Sequence, residues 1–158
     1  MKAILQLFLA FAILGPAPWM ARAEPLVLDY ERLRPAMETL TSADRDVVAD
    51  AISLIQRGEH TLALSRLSSL KQRSPQNSSL RILASYALLQ MGHLAGAFEE
   101  AERAHKAPDG DVYKCWFLAK IALLHGKRDV CEREIQHVEA HAGMLAEAEA
   151  LRKELESN

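Results

Sequence analysis

Apolar residues recur along most of this chain at spacings of three and four, the period of a helix with one buried face. Tyr30, Leu33, Met37 and Leu40 form the first such set, after a short apolar run at Leu26, Val27 and Leu28. Pro35 falls inside that set, and a proline beyond the first turn kinks or ends a helix, so a short or broken helix is expected near 29–40. Thr41, Ser42 and Asp44 are the N-cap candidates for the next helix. From Asp44 onward the pattern repeats itself. Gly58, Gly92 and Gly126 stand 34 residues apart, and each ends a predicted helix of about 14 residues. Glycine takes φ > 0 without penalty and so closes a helix. A second helix is expected two or three residues later.

The residues around these glycines keep step. Seven before them stand Ala51, Ser85 and Ala119, and five after them Ala63, Ala97 and Cys131, all small. Small residues at these places allow two antiparallel helices to approach closely. Four before stand Leu54, Leu88 and Ala122, nine after Leu67, Ala101 and Ile135, and twelve after Leu70, Ala104 and Val138. Larger members of these sets fill the seam between neighbours. The units run 44–77, 78–111 and 112–143, closed by Pro75, Asp109-Gly110 and Gly143, residues suited to turns. A last helix former, Met144 to Leu155, lines up Leu145, Ala148, Leu151 and Leu155 on one side. A stacked array needs such a piece to cover its last unit.

Repeat length, the Gly58…Ala63 and Gly92…Ala97 spacing with its near match Gly126…Cys131, and the closing Pro75 resemble the tetratricopeptide repeat family over about residues 44–143. The pattern is degenerate: Val47, Arg81 and Cys115 stand where the family favours a large aromatic. The resemblance implies an all-α fold, a short right-handed α-solenoid of three helix–turn–helix repeats plus a C-terminal capping helix. It also implies a concave face, lined by the first helix of each unit, that binds a protein or peptide partner. Carried across by position, that groove consists of Arg45, Val48, Ile52 and Ile55, then Ser79, Ile82, Tyr86 and Leu89, then Tyr113, Trp116, Lys120 and Leu123. Trp116, Tyr113 and Tyr86 are the expected apolar anchors, with Lys120 and Arg45 orienting acidic groups. Val48 and Ile52 occupy the places where one branch of the family grips a C-terminal carboxylate with Lys and Asn, which argues against that mode. The sequence leaves open whether an external segment, the chain's own Leu26–Leu40 or a second copy in a homo-oligomer covers the groove.

Composition adds boundaries. The 158 residues are 49% apolar and 25% charged, ordinary for a globular protein, with 19 basic against 21 acidic side chains. No Lys/Arg-dense run offers a nucleic-acid footprint. Lys2, the run Ala3–Leu14, apolar apart from Gln6, and Ala21-Arg22-Ala23 read as a signal peptide cleaved after Ala23. A chain exported to the periplasm or secreted is therefore expected, with membrane attachment only through an uncleaved leader.

Little in the sequence promises chemistry. No nucleophile elbow, phosphate loop or dinucleotide fingerprint is present, so no enzyme and no cofactor are expected. Glu99, Glu100 and Glu102 read as a solvated helix face. Cys115 and Cys131 fall at different heights on paired helices, roughly 10 Å apart, too far for a disulfide. They read as buried free thiols. His137 and His141 are spaced i,i+4 and could offer two nitrogens to a metal, but no third ligand is evident and Cys131 points elsewhere. A metal site is therefore not expected.

Overall fold

A computed structural model describes residues 26–157 apart from Gly110; the expected leader and its cleavage point lie outside the described residues. Among these, all regular structure is helical: α1 (Tyr30–Glu38), α2 (Ser42–Gln56), α3 (His60–Arg73), α4 (Ser78–Gln90), α5 (Leu94–His105), α6 (Tyr113–Leu124), α7 (Arg128–Glu139), a 3₁₀ turn (Ala142–Met144) and α8 (Leu145–Ser157).

Local chemistry sets the ends of these helices. Asp29 caps α1 by accepting from the Glu31 and Arg32 amides, and Thr41 caps α2 by accepting from Asp44 N. Asn77 caps α4 through Leu80 N. Pro35 does not end α1, which runs on to Glu38. Its ring sits on the exposed side of the helix, where the missing N–H is cheapest.

The three glycines make one turn three times. Gly58, Gly92 and Gly126 have φ of 79°, 77° and 75°. In each turn the glycine N–H donates to the carbonyl three residues back: Ile55, Leu89 and Leu123, at 3.0, 2.9 and 3.1 Å. The next N–H reaches five residues back, to Leu54, Leu88 and Ala122, at 2.8, 2.9 and 2.8 Å. This is the paired hydrogen-bond closure of a helix by a left-handed residue.

Packing follows chain order. Each helix from α2 to α8 packs on the next, and α2 touches α4, α4 touches α6, and α6 touches α8. The small positions Ala51, Ser85, Ala119, Ala63, Ala97 and Cys131 are all buried without residual exposure, as are Leu67, Ala101, Ile135, Leu70, Ala104 and Val138. Ser85 Oγ donates to Ala97 O at 2.6 Å, so the backbones of α4 and α5 meet at the small pair itself. Helix α8 buries Ala148, Leu151 and Leu155, while Leu145 remains exposed. Among the described residues no helix is long and apolar enough to cross a membrane.

Candidate functional site

The chain's own N-terminal segment packs on α4 and reaches α6 and α8. Leu26, Leu28, Leu33, Ala36 and Leu40 are buried there. Helix α1 packs on α4, and polar side chains of α4 and α6 take up its backbone. Ser79 Oγ donates to Leu33 O at 2.8 Å and Asn77 Nδ2 to Ala36 O at 2.6 Å. Asp29 N donates to Tyr113 Oη at 3.1 Å. Arg32 meets Glu147 of α8 at 2.7 Å. A buried hydrogen bond left unmade costs about 1–3 kcal/mol, so these contacts fix where the segment lies.

This packing sorts the twelve expected groove residues. Val48, Ile55, Ser79, Ile82, Tyr113 and Lys120 are buried within the chain's own packing. Burial pushes the Tyr113 hydroxyl up to about 12, and its ring stacks on Trp116 at 5.1 Å. Lys120 Nζ lies 2.5 Å from Glu154 of α8. Ile82, Tyr113 and Lys120 thus present little surface to a partner, while Val48 also lines the cleft described next. Ile52, Tyr86, Leu89, Trp116 and Leu123 are half-buried and Arg45 is exposed. Tyr86 has Tyr30 of α1 as a neighbour, and burial, then the Tyr86 hydroxyl, raises the pKa of Tyr30.

Because α1 leans on α4, it leaves an opening toward α2. There a cleft of about 240 Å³ is lined by Arg34, Met37 and Glu38 from α1 and by Arg45, Val48, Ala49 and Ile52 from α2. Its floor is apolar, and two arginines and a glutamate stand at its edge. Three of the twelve expected residues, Arg45, Val48 and Ile52, meet there; the cleft's other wall belongs to α1, the helix expected near 29–40.

The acidic and histidine side chains also depart from expectation. Glu99 is exposed, but Glu100 is buried. Its carboxylate meets Lys71 at 2.9 Å and both Arg81 and Arg103 at 3.2 Å. Burial alone would raise its pKa; the Lys71 hydrogen bond and the charges of Lys71, Arg81 and Arg103 outweigh that and hold it below the usual carboxylate range. His137 and His141 do not share a target. His141 Nδ1 lies 2.9 Å from the His137 carbonyl, whereas His137 Nδ1 lies 3.2 Å from Glu134 Oε2. His105, at the end of α5, brings its Nδ1 to 3.3 Å from the same oxygen. The third donor that the sequence did not reveal is thus Glu134, with His105 behind it. The signal was a Glu-x-x-His pair on α7, one helical turn apart.

Cys115 and Cys131 are both free and lie in different surroundings. Cys131 packs among Ala119, Ala122, Ile135, Leu151 and Leu155. Burial pushes its thiol up to about 11. Cys115 Sγ lies 3.6 Å from His105 Nδ1.

Neither a protein-family model nor a curated protein matches this sequence.

Proposed function

We propose that the chain is a non-enzymatic docking scaffold: a short right-handed solenoid of three tetratricopeptide-like units with α8 as its cap, exported after loss of the leader near Ala23. It holds a segment of a partner protein in the cleft between α1 and α2. The cleft itself carries this reading. Its floor of Met37, Val48 and Ile52 is apolar, and Arg34, Arg45 and Glu38 stand at its edge. A single apolar side chain next to an acidic group fits that chemistry; burying such a side chain contributes roughly 1.5–3 kcal/mol. Affinity would then come from one anchor rather than from the long aromatic groove that the repeat resemblance implies.

The test uses a photo-crosslinking residue at Ala49, which lines the cleft, and the same residue at exposed Ser65 on α3. Crosslinks to one partner from position 49, absent from position 65 and weakened by Ile52→Asp, are expected. Equal labelling from both positions, or none, would remove the proposal. A second reading is favoured by the burial of Ile82 and Tyr113 in the chain's own packing: a structural module that associates with copies of itself. Sedimentation at several concentrations separates the two, since only the second makes mass rise with concentration.

A further inference from the structure

The buried carboxylates Glu100 and Glu134 occupy the same place in successive units, 34 residues apart. Their surroundings correspond residue by residue. The three cations around Glu100 are Lys71, Arg81 and Arg103. Thirty-four residues further on stand His105, Cys115 and His137, and these are the groups gathered at Glu134. Nδ1 of His105 and of His137 both approach Oε2, and the Cys115 Sγ lies 3.6 Å from His105 Nδ1. In one unit the buried charge is balanced by permanent cations. In the next, groups of the types that bind transition metals stand in the three corresponding places, and Arg133 is the permanent cation that remains on Glu134.

The distances point the same way. Glu134 is 0% exposed, and a charge-assisted N–H···O⁻ bond to such a group is expected near 2.7–2.9 Å. The two imidazoles stand off at 3.2 and 3.3 Å. Ligands bound tetrahedrally to zinc at roughly 2.0–2.2 Å lie about 3.3–3.6 Å from one another. The ligand atoms of His105, Glu134 and His137 all lie within 4.8 Å of one another. The other carboxylate oxygen is held by Arg133 Nε at 3.0 Å, the kind of outer contact that fixes a ligand's orientation. His137 is half exposed and gives an ion a way in.

We propose that His105, Glu134 and His137 bind one divalent transition-metal ion of the zinc class, with Cys115, whose Sγ lies 3.6 Å from His105 Nδ1, turning in as the fourth ligand. A mixed nitrogen, oxygen and sulfur set suits zinc or cobalt rather than magnesium or calcium. The ligands come from α5, α6 and α7, so the ion fastens the second unit to the third and supplies the charge that Lys71, Arg81 and Arg103 supply at Glu100. Cys115 binds as thiolate and gives up its proton to solvent on binding. This assignment is independent of the docking cleft, which lies between α1 and α2.

The experiment is calorimetric titration of Zn²⁺ into the full chain after treatment with a chelator, with Co²⁺ absorption in parallel. One equivalent should bind, raise Tm, and give Co²⁺ the intense visible bands of a tetrahedral site together with a thiolate charge-transfer band. His137→Ala removes an exposed side chain and should cost at least tenfold in affinity, whereas His141→Ala should leave affinity unchanged. Cys115→Ser should abolish the charge-transfer band. The triple variant His105→Lys, Cys115→Arg, His137→Arg copies the surroundings of Glu100; it should stay folded by circular dichroism and bind no zinc. No binding to the wild type, binding lost in His141→Ala, or binding kept in the triple variant would overturn the site. A charge-transfer band that survives Cys115→Ser would overturn the fourth ligand.

Discussion

Replacing Gly92 by L-alanine and by D-alanine separates backbone handedness from packing. Gly92 has a φ of +77°, and a Cβ added there meets nothing within 4 Å. The cost of L-alanine is therefore the left-handed backbone alone, about 1–2 kcal/mol. Reduced freedom of the unfolded chain returns about 0.4–1 kcal/mol of that, so the net loss is ~1 kcal/mol. D-alanine prefers positive φ, suffers no such penalty and keeps the gain, so it should stabilise by about 0.4–1 kcal/mol. The same pair of substitutions at Gly58 and Gly126 should give the same two numbers, because φ and free space match there. Gly143 has no positive φ and open space around it, so L-alanine there should be neutral or slightly stabilising. Urea unfolding of ligated proteins carrying each residue measures all of this. If D-alanine destabilises as much as L-alanine, a contact and not handedness sets the cost. If the three glycines disagree, the turns are not equivalent.

Three further outcomes are expected. Ala97→Leu inserts bulk where α4 and α5 meet through Ser85 Oγ and should cost roughly 1–3 kcal/mol; Ala140→Leu, on exposed surface, should stay within about 0.5 kcal/mol, and equal small effects in thermal unfolding would show the faces to be misassigned. Leu33→Ala, a fully buried position of α1, should lower stability by about 2–5 kcal/mol in urea; a negligible loss would mean that α1 is not part of the core. Glu100 has a folded pKa below its ordinary value, so its contribution is present above about pH 4.5 and is lost as pH falls through the folded value. Glu100→Gln should cost on the order of 3 kcal/mol at pH 7 and flatten the acid limb of the stability profile, and an unchanged acid limb would contradict the pairing.

What the sequence made legible was whatever local chemistry decides. Gly58, Gly92 and Gly126 stood out because few other residues close a helix with positive φ, and Ala63, Ala97 and Cys131 because close helices exclude large side chains there. The position of α1 was not legible. It is set by Ser79, Asn77 and Tyr113, which reach backbone atoms 41 to 84 residues away and leave no periodic trace. The expected groove was therefore assigned by position to residues such as Ile82 and Tyr113 that α1 and the core cover. The burial of Glu100 and Glu134 was not legible for a related reason. An acid on an amphipathic helix normally faces water, and only the seam between units brings Lys71 and Arg81, or His105 and Cys115, to them. The 34-residue interval between the two acids is a trace of this in the polar positions of the sequence.

The central claim is that successive helix pairs are related by one constant step. Spin labels at Thr61, Ala95 and Asp129, which are exposed and separated by one repeat each, measure that step by pulsed dipolar spectroscopy. A constant step makes the 61–95 and 95–129 distances the same, and a curved array makes the 61–129 distance shorter than twice either. Clearly unequal neighbouring distances would contradict it.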